Sequence, residues 1–465
     1  MKISTSHLKR YKEIAFLLWK YGRSDLVKQM GIDHTLEPLE VRHGGTHQAN
    51  PEELADDLEA MGPTFVKLGQ VLSGRADLLP EPYLKALARL QDKVKPFPYA
   101  AVEQTVMSEL GVRISKAFSR FDPEPIAAAS LGQVHSAALR DGRAVVVKIQ
   151  RPDIRGQIAE DFEVLGQIAD FIDAHTALGR RYRFLTVLDE FRHSLKQELN
   201  YEHEAQNLIT LGKNLVDFKL IQVPQPVLDY CTRCVLTMEE VQGHKITALS
   251  PIARLDIDGA ALAEEVFKAY LKQVVVDGLF HADPHPGNVF LTNDGRIALL
   301  DLGMTGHTTS GLQENLLKVL LAVSDGNGEE AADVVTRLSQ KMEHCDPVEF
   351  RRRVGQIIAV RQNQGLQNLD VGRSLMAVSR SALESGFWVP SELTLLGKTL
   401  LQLDEIGRIL DPNFDPNACV RRHARELLLQ RMKKDITQGS LLGSLLELKG
   451  FVSHLPTRLN RIFDS

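Results

Sequence analysis

Residues 281–288 read HADPHPGN, and the interpretation of the whole chain starts from this stretch. Two histidines and an aspartate lie close together in it, and such side chains bind metal ions in many proteins. In a second interpretation, Asp283 and Asn288 form the functional pair and the histidines hold the loop in place. The flanking sequence decides between the two.

The spacing within this stretch is that of a kinase catalytic loop. Asp283 follows His281 by two positions and precedes Asn288 by five, which gives the pattern H-x-D-x-x-x-x-N. In such a loop the aspartate orients or deprotonates the acceptor, and the asparagine binds a metal ion. Asp301, in the sequence DLG, lies thirteen positions beyond Asn288, where a kinase places its magnesium-binding aspartate.

These spacings favour magnesium over zinc. Alternating residues interrupted by two prolines lack the ligand spacing of a compact zinc site. The oxygen donors of Asn288 and Asp301 suit magnesium instead. We therefore predict that Asp283 is catalytic, that Asn288 and Asp301 are metal ligands, and that His281 braces the loop. His285 is either part of the scaffold or a substrate contact.

Two β-hairpins are predicted from Asp-Gly turns. The runs VHSAAL (134–139) and AVVVKIQ (144–150) flank Asp141-Gly142, and the runs NVFLT (288–292) and RIALLDLG (296–303) flank Asp294-Gly295. Lys148 lies near the end of the first hairpin, and a loop of small residues precedes that hairpin. From that position a lysine ammonium can reach the α and β phosphates of a nucleotide.

A buried lysine needs a carboxylate partner, and the segment QELNYEHEA (197–205) supplies three candidates on a predicted helix. They are Glu198, Glu202 and Glu204. The order of strand lysine, helical glutamate, H-x-D-x-x-x-x-N, hairpin and D-x-G is much more specific than any one of these motifs. Together they predict a nucleotide-phosphate site.

The remaining sequence is mainly helical by pattern. Residues 1–95 are predicted to be helical up to the proline-rich segment at Pro96, and helices are also predicted from about 152 to 215, from 260 to 276, and from about 310 to the end. The run CVLTMEEV (234–241) is predicted to be a strand. The first helix is amphipathic, and either packs on the protein itself or contacts a membrane.

Composition excludes several classes of protein. The 465 residues carry a formal net charge of −5, and the sequence pI is near 6.3, which argues against nucleic acid as a partner. Four scattered cysteines do not form a disulfide framework, and the Cys231-x-x-Cys234 pair has no second pair to complete a zinc site. No apolar run of about 18 residues is present, so we expect a cytoplasmic protein or one peripheral at a membrane.

The chain resembles the ABC1/AarF/UbiB family of atypical protein-kinase-like proteins from about residue 10 to 460. The motifs that carry the resemblance are FVKLGQVLSGRADLLP (65–80), PIAAASLGQVHSA (125–137), VVVKIQRP (145–152), QELNYEHEA (197–205), HADPHPGN (281–288) and LLDLG (299–303). The resemblance implies a bilobal kinase-like fold with an N-terminal helical extension. It further implies binding of ATP with Mg²⁺ and a role in ubiquinone or other prenyl-lipid metabolism at membranes.

The fold class expected is therefore α+β and mostly helical. We expect the N-terminal extension at 1–95, the N-lobe at 96–243 and the helical C-lobe at 244–465. The extension carries the K-x-G-Q motif, in which Lys67 and Gln70 lie three apart on one helix face and are predicted to be regulatory together with Glu198. Without the family resemblance, a solvent-exposed helix face is the simpler explanation of that pair.

The nucleotide contacts differ from those of a typical kinase. The loop that covers the phosphates is predicted to contain alanines where a kinase has glycines, and alanine disfavours the positive φ that lets backbone amides wrap a triphosphate. Hydrolysis or small-molecule transfer is thus favoured over peptide phosphorylation. Glu239 and Val241 precede Gly243 as a kinase hinge does. The residues predicted to contact the nucleotide are Ala127, Ala128, Ala129, Ser130, Lys148, Glu239 and Val241.

One departure from the family pattern concerns its E-x-D motif. Here the segment reads Glu198-Leu199-Asn200, so any second metal site or ion pair with Lys67 that needs the aspartate is in doubt. Glu204 is the preferred partner of Lys148, and the two are predicted to be catalytic with Asp283.

The function expected is that of a magnesium-dependent ATPase or an atypical kinase of small molecules or lipids. An isoprenoid or quinone-like lipid, a membrane surface and other pathway proteins are the partners considered. The alternative is a nucleotide-gated lipid-binding protein or chaperone with little catalysis. The retained Asp283 favours the enzyme, because a binding protein does not need a base.

Overall fold

The structure is a computed structural model of the 465-residue chain. It describes residues 5–22, 50–75, 78–90, 95–176, 179, 182–250, 253–362 and 371–437. We predicted helix up to the C-terminus. From residue 438 onward, that prediction lies outside the described residues.

The N-terminal extension is a set of four described helices. They are α1 (Thr5–Gly22), α2 (Pro51–Ala60), α3 (Pro63–Ser73) and α4 (Glu81–Ala88). Their apolar faces meet in one small core that includes Ile14, Phe65 and Leu87. On α1, Arg10 is paired with Asp161 of a later helix at 2.5 Å. The amphipathic first helix therefore packs on the protein itself.

The N-lobe is built on a five-stranded antiparallel sheet. Two helices, α5 (Tyr99–Leu110) and α6 (Ile114–Ala117), precede its strands, which are β1 (Phe118–Phe121), β2 (Ala127–Ala128), β3 (Gly132–Leu139), β4 (Ala144–Gln150) and β6 (Val235–Glu239). The strand order is β1-β3-β4-β6, and β2 pairs with β3. Alternating apolar side chains of β3 and β4 pack with α5 in the second core. The first predicted hairpin is confirmed as β3–β4.

Three helices are described after the hairpin: α7 (Ile154–His175), α8 (Phe184–Glu198) and α9 (Tyr201–Asn214). The prediction of a single helix across QELNYEHEA was wrong, because the chain breaks at Leu199 and Asn200. The carbonyl of Leu199 accepts hydrogen bonds from Gln150 at 2.9 Å and from Arg155 at 2.6 Å, so it cannot continue a helix ladder. Asn200 adopts an extended conformation before α9, a position that asparagine favours.

The first long helix of the C-lobe is α10 (Gly259–Lys272), which runs into a π-helical turn at Gln273–Asp277. Short strands that precede and follow α10 frame the catalytic-loop motif. They are β5 (Ile221–Gln222), β7 (Gly243–Lys245), β8 (Leu279–His281), β9 (Val289–Thr292), β10 (Ile297–Leu299) and β11 (Thr305–His307). The sheet order is β5-β10-β9-β7, and β8 pairs with β11. The second predicted hairpin is confirmed as β9–β10.

The rest of the described C-lobe is helical apart from one two-stranded ribbon. The helices are α11 (Ser310–Ser324), α12 (Gly328–Leu338), α13 (Pro347–Gln362), α14 (Val371–Glu384), α15 (Ser391–Leu410) and α16 (Pro416–Thr437). The ribbon pairs β12 (Gln340–Lys341) with β13 (Phe387–Trp388), so the prediction of helix throughout this region was wrong there. These helices and α10 enclose the largest core of the described chain. Within the described ranges, every helix is too short or too polar to cross a bilayer.

Helices α14 and α15 pack closely enough that glycine is required at their contact. A Cβ atom at Gly372 would lie 2.7 Å from the backbone nitrogen of Leu401 and 2.8 Å from the carbonyl oxygen of Gly397. Neither backbone atom can move without shifting its helix. The contact therefore fixes the position of α15, which faces the catalytic-loop motif.

We predict that Gly372→Ala lowers the free energy of unfolding by about 1–3 kcal/mol, because the methyl group overpacks two backbones. Gly355→Ala is the matched control within helix α13, since its Cβ would have no atom within 4 Å. That variant gains about 0.5–1 kcal/mol from helix propensity. Chemical denaturation measures both, and equal stability of the two variants would contradict the close packing of α14 on α15.

Candidate functional site

Lys148 lies between two carboxylates at the junction of the lobes. Its Nζ is 2.9 Å from Glu204 Oε2 and 3.3 Å from Asp301 Oδ1. Strand β4 supplies the lysine, α9 supplies Glu204, and the loop after β10 supplies Asp301. The pairing of Lys148 with Glu204 that the sequence favours is present, whereas Glu202 is exposed on the same helix. The catalytic roles of Lys148 and Glu204 remain predictions.

Burial and charge act in opposite directions on this cluster. Desolvation alone would lower the pKa of Lys148, but Asp301 and Glu204 outweigh it and hold that pKa well above its usual value. Burial raises the pKa of Glu204 to about 7. The negative charges of Asp301 and Glu198 also raise this pKa, whereas Lys148 lowers it. The lysine is therefore charged at neutral pH in a cluster rich in carboxylates.

Asp301 is the accessible carboxylate of the cluster. Its side chain is 46% exposed, whereas that of Glu204 is 2% exposed, so of the two only Asp301 can meet a metal ion from solvent. Its φ of 56° is rare for a residue with a side chain, and such strain is found mostly at functional sites. Desolvation acts to raise the pKa of Asp301, but Lys148 and Lys67 outweigh it and keep the carboxylate ionised.

Asn288 is brought next to the DLG segment by the second hairpin. Val289 pairs with Leu299, and the backbone nitrogen of Leu300 donates to the Asn288 carbonyl at 2.9 Å. The predicted metal ligands, Asn288 and Asp301, therefore flank the end of the same two-stranded ladder. A carboxylate and an amide oxygen are a donor set that suits magnesium. The metal role of both residues remains a prediction.

Asp283 is held by two side chains that sequence reasoning missed. Lys398 Nζ lies 3.0 Å from its Oδ1, and Gln402 Nε2 donates to the same oxygen at 2.6 Å. Burial acts to raise the pKa of Asp283, but Lys398 and Gln402 outweigh it and hold that pKa well below its usual range. Both residues come from α15, and no local motif marks them.

The two histidines of the loop have structural contacts. His281 is buried, which lowers its pKa, and its Nδ1 accepts from the backbone nitrogen of Asp283 at 3.3 Å. His285 Nδ1 accepts from the backbone nitrogen of Gly287 at 3.0 Å and so caps the short turn before Asn288. The contact of His281 agrees with its predicted role as a brace of the loop, and the contact of His285 fits the scaffold alternative.

The N-terminal extension delivers Lys67 into the same cluster. Lys67 Nζ is 2.5 Å from Glu198 Oε1, and the two side chains are 9% and 14% exposed. A Cβ at Gly303, next to Asp301, would lie 3.4 Å from Glu198 Cγ, so Glu198 borders the DLG segment. Gln70 donates to the carbonyl of Leu90 at 3.1 Å, which ties it to the extension.

The departure at Asn200 does not prevent an ion pair with Lys67, because Glu198 provides it. The side-chain oxygen of Asn200 is buried without a hydrogen-bond partner within the described ranges. Lys67 is therefore not on a solvent-exposed helix face, which was the simpler explanation. The regulatory role of Lys67, Gln70 and Glu198 remains a prediction.

The alanine-rich loop connects β2 to β3. The backbone nitrogen of Ala129 donates to the Gly132 carbonyl at 2.7 Å, and no residue from 127 to 132 has a positive φ. Ser130 is fully buried, so the alanines that solvent can reach are Ala127 and Ala128 of β2 and Ala129 of the loop. At the predicted hinge, Glu239 ends β6 and Val241 follows in the connecting segment. The nucleotide contacts of these residues remain predictions.

Among the described residues, one other group of side chains could hold a metal ion, and two of its members form ion pairs. Glu264, Cys419 and His423 form a cluster, but Arg422 lies 2.9 Å and His423 2.8 Å from the Glu264 carboxylate. The Cys231 thiol donates to backbone carbonyls, and burial raises its pKa to about 11. These environments indicate packing and ion pairing.

Two family models match the chain. Residues 89–335, just over half of it, match the ABC1 atypical kinase-like domain, and residues 354–415 match the UbiB helical domain. The first match agrees with the two-lobed architecture, so the predicted fold class, α+β and mostly helical with a kinase-like core, is confirmed. Lys398 and Gln402 lie in the second matched segment.

Several known proteins are similar to the chain. A protein of Shewanella denitrificans named probable protein kinase UbiB is 32% identical over 474 residues, covering 100% of this chain and 86% of its own. The chloroplastic protein ACTIVITY OF BC1 COMPLEX KINASE 8 of Arabidopsis thaliana is 33% identical over 411 residues. That alignment covers 81% of this chain and 54% of the Arabidopsis protein, so the chain spans about half of that relative's length.

Among solved structures, the complex of Rv3197 with erythromycin from Mycobacterium tuberculosis aligns with 78% of this chain and 97% of its own. The sequence identity is 23% and the TM-score is 0.46, so this likeness supports no conclusion about function.

The buried ion pair between Lys67 and Glu198 generates a stability prediction. Lys67→Met leaves a buried carboxylate without this partner, and we expect a loss of about 3 kcal/mol in unfolding free energy. The double variant Lys67→Met/Glu198→Gln should recover at least half of that loss. Lys85→Met is the control, since its pair with Glu81 is exposed and its loss should stay below about 1 kcal/mol.

Chemical denaturation of the wild type, Lys67→Met, Glu198→Gln and the double variant gives the coupling between the two positions. Purely additive losses in the Lys67 and Glu198 variants would contradict a direct buried pair.

Proposed function

Because this chain belongs to the ABC1 family of atypical kinase-like proteins, we propose that it binds ATP with Mg²⁺ and turns it over. The reaction is either ATP hydrolysis or phosphoryl transfer to a small molecule or lipid. The observation that carries the proposal is the position of Lys148, paired with a buried Glu204 and with the accessible Asp301. In a kinase-like fold this arrangement presents one ammonium and one metal-binding carboxylate to the phosphates.

Each residue has a role that its environment supports. Lys148, kept charged by its carboxylate neighbours, binds phosphate oxygens. Asp301 and Asn288 would hold a magnesium ion, which would neutralise charge on the phosphates. Asp283, kept ionised, accepts the proton of the attacking hydroxyl.

The acceptor proposed is water or a small molecule. The extension places Lys67 and its partner Glu198 beside the DLG segment, where they occupy space next to Asp301. The alanine-rich loop has no residue in the left-handed conformation that glycines give to a kinase phosphate loop. Both features favour a small acceptor over a peptide.

The biological setting proposed follows from the family resemblance. It is ubiquinone or other isoprenoid-lipid metabolism, with a quinone-like lipid, a membrane surface and other pathway proteins as partners. The net charge of −5 supports the exclusion of nucleic acid.

The rival function is a nucleotide-gated lipid-binding protein with little catalysis. One observation favours it: Oδ1 of Asp283 is already engaged by Lys398 and Gln402. Turnover by the purified protein, with and without lipid vesicles, separates the two functions.

We predict different effects for two substitutions of aspartate by asparagine. Mutating a residue that only hydrogen-bonds to a metal ligand costs about 10–100-fold in metal affinity. Asp301 is itself a predicted ligand, so Asp301→Asn should weaken magnesium-dependent ATP binding by at least about 100-fold. Asp283→Asn should leave binding intact and lower turnover by about 100–10,000-fold. Calorimetric titration of ATP with and without Mg²⁺ and a phosphate-release assay provide the measurements.

Asp294→Asn is the matched control, because Asp294 lies in an exposed hairpin turn and pairs with Arg296. It should change neither binding nor turnover. Equal turnover in the wild type and the Asp283 variant would overturn the enzyme and support the rival.

A further inference from the structure

We propose that Lys398 and Gln402 are positioning residues for Asp283, so that the C-terminal helical segment completes the catalytic site. The inference rests on the proposed function, in which Asp283 is the base, and extends it to residues outside the kinase-like domain. Both residues lie on α15 (Ser391–Leu410), within the segment 354–415. The kinase-like match ends at residue 335, so it does not contain them.

The contacts anchor one oxygen of the carboxylate and leave the other available. Lys398 Nζ lies 3.0 Å from Oδ1 of Asp283, and Gln402 Nε2 donates to the same Oδ1 at 2.6 Å. Among the described residues, none donates a hydrogen bond to Oδ2, and the side chain is 27% exposed. Oδ1 is therefore the anchored atom, and Oδ2 is the atom that accepts a proton.

The helix docks on the loop through three neighbouring side chains. Lys398 and Gln402 lie four positions apart and so share one helix face. Between them, the buried Thr399 hydroxyl donates to the carbonyl of Ala282 at 3.3 Å. The backbone and the side chain of the loop are thus both held by α15, which fixes the direction of the Asp283 carboxylate.

The stem of Lys398 packs against the end of helix α3. A Cβ at Gly74, at the end of α3, would lie 2.7 Å from Lys398 Cδ, so the missing side chain makes room for the lysine methylenes. Lys398 is only 14% exposed. On the other side, the Gly372–Gly397 contact fixes α15 against α14. The ammonium is therefore confined near Asp283.

Charge gives this contact a chemical consequence. Burial acts to raise the pKa of Asp283, but Lys398 and Gln402 outweigh burial, so the pKa is lowered. The other titratable groups that face Asp283 are His281, which is buried with a lowered pKa, and Tyr270, whose pKa is raised by burial and by Asp283. Lys398 is the cation that keeps the base ionised. Its removal lets burial dominate, and Asp283 then takes up a proton at a higher pH.

The test compares Lys398→Met, Lys398→Arg and Gln402→Leu with the wild type in the full chain. Lys398→Met should lower kcat for ATP at pH 7 by about 100-fold. The KM for ATP should stay within about twofold, because both side chains contact Asp283 and neither is among the predicted nucleotide contacts. The acid limb of the pH profile of kcat should move up by at least about one pH unit, because the base gains pKa.

Conservative and control variants separate positioning from folding. Lys398→Arg keeps the charge, so its acid limb should match the wild type and its kcat should return to within about tenfold. Gln402→Leu should reduce kcat less than Lys398→Met does. Lys318→Met is the control, because Lys318 is similarly buried and pairs with Glu314 on its own helix. It should change neither kcat nor the pH profile.

A readout independent of turnover separates this inference from the proposed function. In protein labelled with carboxyl-¹³C aspartate, the Asp283 signal is identified by its loss in Asp283→Asn. In the wild type that signal should remain that of a carboxylate below pH 4, and in Lys398→Met it should titrate at least about one pH unit higher.

An unchanged titration in Lys398→Met, or an unchanged acid limb with wild-type kcat, overturns the inference. A wild-type protein that binds but never turns over ATP refutes the proposed function, and the carboxyl titration still decides whether Lys398 controls Asp283.

Discussion

The burial of the Lys148 ammonium is the constraint on which the rest of the site depends. An ammonium removed from water is costly unless carboxylates compensate it. Its partners lie 56 and 153 positions away in the chain, at Glu204 and Asp301. Satisfying one lysine therefore requires that the N-lobe sheet, α9 and the second hairpin meet at one point. The junction of the two lobes is organised around that meeting point.

Two further lysines reach this junction from outside the kinase-like domain. Lys67 comes from the N-terminal extension and pairs with Glu198, and Lys398 comes from the C-terminal helical segment and pairs with Asp283. The carboxylates belong to the kinase-like core, whereas these cations are added by the flanking helices. The flanking segments therefore contribute charge to the site as well as apolar packing. The junction therefore contains three lysines that originate from three different parts of the chain.

Rigidity and charge are coupled in this arrangement. Helix α15 can present Lys398 to the loop only because Gly372 and Gly397 let two helix backbones touch, and because Gly74 leaves space for the lysine stem. The glycines at these contacts determine the distance from Lys398 to Asp283. That distance determines how strongly the lysine favours the ionised carboxylate. In the proposed role of Lys398, helix packing far from the chemistry controls the protonation of the predicted base.

The features that could be derived from the sequence are those encoded by near neighbours. The two hairpins follow from Asp-Gly turns between alternating apolar runs, and the loop motif follows from the fixed spacing of His281, Asp283 and Asn288. The preference for Glu204 over Glu202 agrees with the buried face of α9. The helix break at Asn200 was not evident, because it depends on a carbonyl bonded by Gln150 and Arg155 from other segments. Lys398 and Gln402 were not evident either, since Gln402 lies 119 positions from Asp283 and the local pattern is that of an ordinary amphipathic helix. Spacing along the chain specifies turns, periodicity and catalytic-loop geometry, whereas the partner of a buried charge is chosen only when distant helices pack.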